Sequence, residues 1–328
     1  MDTQLNIFER LRLANNKCFL CGCGDNITQE HVFPKWLQHR YALWDKELTL
    51  LNDTQIKYRQ LTIPCCRVCN GTHLGRIENQ IRQAVTNGFL GCTALSDLVI
   101  YQWAGKIFFG ILRKELTLLL DRKDKTVGTI VSEKLVKSFS ALHLFLQSIR
   151  QPFEFQQPPP YSVLIAHLHC GNDTPSYDFR DNLIYQLVQF RMDDIGIIVV
   201  FEDCGIVSDS YGRYLIEVDG RKLMQIQFDE LYAKTLYQKS LIEYSPKYFT
   251  VSNVDPTVTT IVHEISGGVY VNEWNHKEFA NVFQLLLEKN YGDSAPKIEF
   301  RAPNLVSTWM NTLVDENGTV IASLGNHE

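Results

Sequence analysis

Long apolar runs are missing from this sequence, and so is the apolar core of a signal peptide. No stretch approaches eighteen apolar residues, and the most apolar helical candidate, residues 96–120, is interrupted by five charged side chains. The first twelve residues are amphipathic and charged. We therefore expect neither a membrane span nor a secretory leader, and the prediction is a cytoplasmic protein that does not bind membranes.

A disulfide framework is also not indicated. The chain has nine cysteines, which is an odd number, and six of them lie in two tight clusters at 18–23 and 65–69. Without a secretory signal, this pattern favours a reducing compartment and thiolates that bind a metal.

The chain lacks the positive charge that is typical of nucleic-acid-binding proteins, since its formal net charge is −5. The charge is uneven, however. Residues 1–90 hold 11 Lys/Arg and 8 Asp/Glu, which gives +3, whereas the remainder holds 21 and 29, which gives −8. The cysteine-rich part is thus the mildly basic part, which is a weak indication of an anionic partner.

Two Cys-x-x-Cys pairs are the strongest signal in the chain. They are Cys18 with Cys21, and Cys66 with Cys69. Four thiolates suit tetrahedral zinc, and a closed set of four protein ligands makes such an ion structural. The 44 residues between the pairs are more than a plain zinc ribbon needs, so we expect useful residues there. Cys23 and Cys65 stay open as substitutes, although the spacing shared by both clusters favours the first set.

An acidic residue and a histidine lie between the two pairs, and an asparagine follows the second pair directly. These residues are Glu30-His31-Val32 followed by Pro34, and Asn70. Together with the four cysteines they resemble the HNH endonuclease family in its version with a zinc clip, over about residues 15–90. The resemblance implies a ββα-metal fold. Residues 95–328 resemble the rear part of uncharacterised bacterial proteins that carry this nuclease at the front.

The resemblance implies a role for each residue of the motif. Glu30 and Asn70 would hold a catalytic divalent cation, and oxygen ligands of this kind suit Mg²⁺ or Mn²⁺. His31 would be the general base that activates water, because imidazole titrates near neutrality. Adjacent strand residues point to opposite faces, so Glu30 and His31 can serve one centre only if a bulge or twist bends the strand.

Two further residues of the helix predicted after the second pair are candidates for the same centre. His73 lies three residues after Asn70 and would share its helix face, as a further metal ligand, a phosphate contact or a plain surface residue. Glu78 lies eight residues after Asn70, about 12 Å along an ideal helix, which is too far to share one ion with it. Glu78 is therefore a candidate for a contact near the ion or at the phosphate.

Phosphate contacts and the residue that orients the histidine are assigned from sequence position. Arg67 and Arg76 are candidate phosphate contacts, with ordinary surface arginines as the alternative. The family usually has an asparagine shortly before the second cysteine pair, whereas this sequence has YRQLTIP there. Gln60 is the candidate for that role, and Asn52 is the alternative from further back.

The apolar patterns predict an α+β protein in three parts. Residues 1–94 would form the zinc-stabilised ββα-metal domain, 95–157 a helical segment, and 158–328 a larger mixed α/β domain with a regulatory, sensing or partner-binding role. A helix is predicted at 5–14, and short strands near 297–300 and 319–323 would complete the last domain. The prolines at 158–160 predict a linker or a stiff crossover before it.

The expected function is metal-dependent hydrolysis of phosphodiester bonds in DNA, and the rear domain is a candidate for binding another protein or subunit. A nuclease with a large appended domain suggests phage defence, by association only. The rival hypothesis is a zinc-stabilised nucleic-acid-binding or scaffold protein without catalysis. A pure binding ribbon has no use for Glu30, His31 and Asn70, so these three residues separate the two hypotheses.

Overall fold

The computed structural model describes residues 16–171, 176–210, 222–243, 247–252, 257–264 and 271–295. These residues form a mixed α+β structure, as predicted. The predicted helix at 5–14 and the predicted strands near 297–300 and 319–323 lie outside the described residues.

Helices and strands come largely in runs along the described chain, with helices from Gly75 to Leu146 and strands from Phe153 to Phe201. The strands are β1 (Ile27–His31), β2 (Glu47–Thr49), β3 (Gln55–Lys57), β4 (Thr62–Cys66), β5 (Phe153–Phe155), β6 (Tyr161–His167), β7 (Tyr177–Asn182), β8 (Leu187–Met192), β9 (Ile195–Phe201), β10 (Lys247–Ser252) and β11 (Thr259–Glu264). The α-helices are α1 (Lys35–Arg40), α2 (Gly75–Thr86), α3 (Gly88–Thr93), α4 (Asp97–Glu115), α5 (Glu133–Ser138), α6 (Ser140–Leu146), α7 (Gln225–Ser240) and α8 (His276–Tyr291). A π-helical turn, Cys69–Leu74, leads directly into α2.

The chain divides into two compact units. The front unit takes Met1–Asn87, Ala94–Pro158 and Lys247–Glu264, and the rear unit takes Gly88–Thr93, Pro159–Pro246 and Ile265–Glu328. Residues 95–157, expected as a separate helical segment, thus lie in the same unit as the two cysteine clusters. A compact unit need not fold independently, so the division into two units does not test the domain boundaries predicted after residues 94 and 157.

The front unit places two strands and a helix in direct succession around the cysteines. β1 pairs antiparallel with β4, from Ile27 opposite Cys66 to His31 opposite Thr62. β4 then continues through the π-helical turn into α2. The apolar stripe predicted for this helix is buried, since Ile77 and Ile81 are each almost fully covered. β2 pairs with β3, and β10, β11 and β5 form a separate three-stranded sheet.

Helix α4 lies in the middle of the front unit. Each of its residues from Ile100 to Arg113 is buried, including polar ones. A helix that is covered on all sides belongs to the interior of a domain. One of its buried polar residues, Gln102, donates from Nε2 to Ser148 Oγ at 2.9 Å. Two of the charges that interrupt this helix in the sequence are bound inside the unit, since Lys106 Nζ lies 2.6 Å from Glu30 Oε1 and Glu115 Oε1 accepts from Leu51 N at 3.0 Å.

Gly110 is a position where α4 lies close to the β1–β4 pair. A Cβ there would lie 3.1 Å from Val32 Cγ1 and 3.3 Å from Ile63 Cδ1. We expect Gly110→Val to lower the free energy of unfolding by about 1–3 kcal/mol, because overpacking displaces both neighbours. Gly71→Val is the matched control, since a Cβ at Gly71 meets no atom within 4 Å. Equal thermal midpoints for the two variants would contradict this close approach.

The rear unit is built on a four-stranded antiparallel sheet with the strand order β6-β9-β8-β7. Every residue of β8 and β9 is buried, so both faces of these strands are covered. α7 packs on one face, where a Cβ at Gly196 would lie 2.6 Å from the Phe228 ring. In the described part of the chain, none of the helices combines the length and the apolarity that crossing a bilayer requires.

Candidate functional site

Four cysteine sulfurs meet near the Cys66 end of β4. The Sγ atoms of Cys18, Cys21, Cys66 and Cys69 all lie within 4.8 Å of one another, and three of these residues are buried. This is the set predicted from the two-residue spacing. Four thiolates at such distances could hold a zinc ion in tetrahedral coordination, with no position left for a substrate. The cysteine cluster is therefore suited to a structural metal.

Backbone hydrogen bonds shape the first half of this cluster. Cys18 N donates to Cys23 O at 2.8 Å, and Gly22 N donates to Cys18 O at 2.9 Å. Gly22 has a φ of 75°, a conformation that glycine adopts without steric cost. Phe19 N donates to Pro64 O at 2.9 Å, which attaches this turn to β4. The two cysteine pairs are thereby held together by the main chain as well as by any bound metal.

The thiols interact with one another and with one additional cysteine. Hydrogen bonds from Cys21 and Cys65 lower the pKa of the Cys18 thiol, which favours a thiolate there. Cys69 N donates to Cys66 Sγ at 3.4 Å. Cys65 is fully buried with its Sγ 3.9 Å from Cys18 Sγ, but it lies outside the group of four. The alternative pairing through Cys65 is therefore not the one that the fold adopts.

Two buried side chains from the segment 95–157 bind the first cysteine turn. His143 Nε2 donates to Phe19 O at 3.0 Å, and Gln147 Nε2 donates to Leu20 O at 2.9 Å. Burial lowers the pKa of His143 to about 4, so its ring is neutral at pH 7 and donates through Nε2. The helical segment thus contributes directly to the structure around the cysteine cluster.

The strand that carries Glu30 and His31 is paired without a bulge. Each residue of β1 lies opposite one residue of β4, including Glu30 opposite Ile63. Because the ladder is regular through His31, the Glu30 and His31 side chains point to opposite faces of the pair. The bend that we expected between them is absent. Glu30 is buried and His31 is half-buried.

His31 lies against an aromatic ring that sequence analysis did not identify. Its imidazole stacks on Trp44 with the ring centroids 5.8 Å apart, and His39 stacks on the same residue at 5.0 Å. Burial lowers the pKa of His31, and the positive charge of Lys35 lowers it further. The imidazole is therefore neutral at pH 7 and able to accept a proton.

A buried lysine from α4 meets Glu30 on the other face of β1. Lys106 Nζ lies 2.6 Å from Glu30 Oε1 and 3.0 Å from Glu78 Oε1. It also donates to the carbonyl oxygens of His31 at 2.6 Å and of Val32 at 3.0 Å. Burial lowers the pKa of Lys106, but the two carboxylates outweigh burial and raise it, so the ammonium is charged. We call these five residues the Lys106 cluster.

Asn70 lies on the same face of β1 as Glu30. Its Nδ2 donates to Thr28 Oγ1 at 3.0 Å, and Thr28 Oγ1 donates to Cys65 O at 2.8 Å. Thr28 and Glu30 are two residues apart on β1 and therefore share a face. Asn70 sits inside the π-helical turn rather than at a helix N-cap. Its amide oxygen takes no part in the contact with Thr28 and remains a possible metal ligand.

Glu78 and His73 do not join Glu30 in a shared metal site. Glu78 shares Lys106 with Glu30 and also interacts with the Glu30 carboxylate directly, and burial raises the pKa of Glu78. His73 is half-buried, and burial lowers its pKa. Among the described residues, the four cysteines are the one group of three or more Cys, His, Asp or Glu side chains that are close enough to hold a metal together.

The two predicted phosphate contacts differ in their surroundings. Arg67 is exposed, and its backbone nitrogen donates to Asn26 O at 3.0 Å. Arg76 Nη2 donates to Ile149 O at 3.2 Å. Arg67 therefore has its guanidinium at the surface, while that of Arg76 already binds the main chain.

The two candidates for orienting His31 also lie in different places. Gln60 is exposed at the end of a single 3₁₀ turn. Asn52 Nδ2 donates to Leu120 O at 2.9 Å, and its Oδ1 accepts from Thr54 N at 3.2 Å. Asn52 is thus engaged elsewhere, and the residue seen against the His31 ring is Trp44.

Lys106 is the contact that sequence analysis missed with the largest consequence. The one feature of the sequence that pointed to Lys106 is that residues 98–112 contain no other charged side chain. A single charge within an apolar helix is typical of a buried group with a charged partner. That partner, Glu30, lies far away in the sequence, so the pair could not be assigned from spacing.

No family model, curated protein or solved structure gives a significant match to this chain. The resemblance to HNH nucleases therefore stays a prediction from the motif residues. They are the four clustered cysteines, Glu30, His31 and Asn70.

Proposed function

We propose that this chain is a metal-dependent endonuclease of HNH type that hydrolyses phosphodiester bonds of DNA. The observation that carries the proposal is the order of elements around the cysteine cluster. β1, which bears His31, pairs antiparallel with β4, and β4 continues through Cys66, Cys69 and Asn70 into α2. A strand, a strand and a helix joined by four cysteines is the arrangement that the resemblance implies.

His31 would act as the general base. Its neutral imidazole can take a proton from water while the water oxygen bonds to phosphorus and the bond to the leaving oxygen breaks. Contact with Trp44 restricts the ring plane, and half-burial leaves part of the ring accessible. A divalent cation, when bound, would neutralise the negative charge that develops on the phosphate.

The residues expected to hold that cation fit it only in part. Asn70 retains an amide oxygen that is not used by Thr28, but it lies on the Glu30 face of β1, opposite to His31. The charge of Glu30, in contrast, is already compensated by Lys106, whose Nζ is 2.6 Å away. We therefore assign no catalytic step to Glu30, and Mg²⁺ or Mn²⁺ remains part of the proposal without a carboxylate ligand assigned to it.

A plasmid-nicking assay in Mn²⁺ or Mg²⁺ tests the proposal. His31→Ala should lower the nicking rate by about 10²–10⁴-fold, because proton transfer to a positioned base contributes that much. His39→Ala is the matched control, since His39 is exposed and stacks on the same Trp44. Equal nicking by wild type and His31→Ala, or no nicking by wild type with either ion, would contradict the nuclease proposal.

The second candidate is a zinc-stabilised nucleic-acid-binding or scaffold protein without catalysis. The ion pair between Glu30 and Lys106 favours it, because a carboxylate bound to an ammonium is less available for a catalytic metal. This candidate predicts nucleic-acid binding without cleavage, and equal binding by wild type and His31→Ala in a gel-shift titration.

A further inference from the structure

The Lys106 cluster surrounds one ammonium group with four oxygen atoms. Two come from the carboxylates of Glu30 and Glu78, and two are the backbone carbonyls of His31 and Val32, all within 3.0 Å of Nζ. An ammonium has three N–H donors and no acceptor, so these oxygens use its entire donor capacity. An oxygen shell of this kind suits a cation, and the protein supplies that cation itself.

We infer that Glu30 and Glu78 bind the ammonium of Lys106 rather than a divalent ion, and that Lys106 is a positioning residue for the end of β1 that carries His31. The catalytic part of this inference rests on the proposed nuclease function. The cation part does not depend on it.

Burial makes the ammonium a permanent member of the cluster. Lys106 is 1% exposed and Glu30 is 7% exposed. A divalent ion that took Glu30 from Lys106 would leave a buried positive charge with fewer partners, which is strongly unfavourable. Lys106 lies within a buried stretch of α4, from Ile100 to Arg113, and of its two carboxylate partners Glu78 is the more exposed, with 20% of its side chain accessible.

The two carbonyl contacts explain the positioning role. His31 is the last residue of β1, and Val32 N makes the next hydrogen bond, to Leu61 O at 2.8 Å. By binding the carbonyls of His31 and Val32, Lys106 fixes the peptide groups that set the direction of the His31 side chain. Lys106 also binds Glu78, a residue of α2, and so connects the end of β1 to that helix.

Manganese binding by the zinc-loaded full chain tests the cation part, with free Mn²⁺ measured by electron paramagnetic resonance. Glu30→Gln keeps an oxygen acceptor for Lys106, so its Mn²⁺ affinity should equal that of wild type within about twofold, since no ligand is lost. Lys106→Met should create a Mn²⁺ site between the freed carboxylates, and Lys106→Met with Glu30→Gln should abolish it.

A drop in Mn²⁺ affinity of about tenfold or more in Glu30→Gln would make Glu30 a metal ligand and overturn the inference. Failure of a folded Lys106→Met variant to gain a site would overturn it as well. If Lys106→Met does not fold, Glu30→Gln decides alone, because it retains the hydrogen bond. These readouts do not require nuclease activity, so they separate this inference from the proposed function.

Glu78 tests the positioning part, because its carboxylate lies 3.0 Å from Lys106 Nζ, which in turn binds the carbonyl of His31. Glu78→Ala should lower kcat with KM unchanged, and Glu78→Gln should restore most of the rate. A rise in KM alone would instead make Glu78 a phosphate contact and would overturn the positioning role.

Nuclear magnetic resonance tests the same role without nuclease activity. The ¹⁵N resonances of the His31 ring, assigned by their loss in His31→Ala, should shift in Glu78→Ala and return in Glu78→Gln. Unchanged His31 resonances in a folded Glu78→Ala variant would overturn the positioning role.

Discussion

Cys21→Ser should release zinc and unfold the front unit, whereas Cys23→Ser should do neither. Cys21 belongs to the group of four sulfurs within 4.8 Å, and Cys23, two residues later, does not. Structural zinc contributes about 10–16 kcal/mol of apparent binding free energy in small zinc-dependent folds at pH 7. Whole domains are stable by only about 5–15 kcal/mol, so losing the metal decides whether such a unit folds.

Zinc content and thermal unfolding of the two serine variants provide the measurement. Wild type and Cys23→Ser should each bind one zinc ion per chain and share one unfolding midpoint, while Cys21→Ser should bind less and lose the transition of the front unit. A strong chelator should reproduce the Cys21→Ser result in wild type. If chelation leaves the thermal transition unchanged, a structural zinc role for these cysteines is wrong.

Lys106→Met should produce the second large effect, a loss of about 3–5 kcal/mol in the free energy of unfolding. The substitution keeps an unbranched side chain that is one atom shorter, and it leaves the Glu30 and Glu78 carboxylates facing each other without a cation. Both are largely covered, with side-chain exposures of 9% and 20%. Losing one partner of a buried ion pair is more harmful than losing a surface pair, because the remaining charge stays desolvated.

Lys114→Met is the matched control, since Lys114 is a half-buried lysine on the same helix. Chemical denaturation should show a much smaller loss for it. Adding Glu78→Gln to Lys106→Met should recover part of the stability, because one of the two facing charges is removed. If Lys106→Met and Lys114→Met lower the free energy of unfolding by similar amounts, the Lys106 cluster does not stabilise the fold more than an ordinary lysine does.

Local spacing was enough to predict the cysteine cluster and the helix that follows it. Two residues between cysteines place both sulfurs on one side of a tight turn, so the ligand set could be chosen without knowing the fold. The apolar repeat at Ile77 and Ile81 likewise determined the buried face of α2. These features depend on residues within a few positions of one another.

The surroundings of the motif could not be predicted in the same way. Sequence alone indicated that Glu30 and His31 would point to opposite faces of a strand, and we expected a bulge to bring them together. The regular pairing of β1 with β4 shows no bulge. Strand register depends on cross-strand packing along the whole pair, and a two-residue motif does not encode it.

The sequence by itself determined that this is an α+β protein with four cysteines that could hold a zinc ion, because period and spacing are local properties. The tertiary structure decided which groups Glu30 and His31 contact. Lys106 lies 75 residues after His31 in the sequence. Its attraction to the carboxylates becomes strong only in the folded protein, where the surrounding segments exclude water. The chemistry of Glu30 is therefore set by packing rather than by the motif in which it stands.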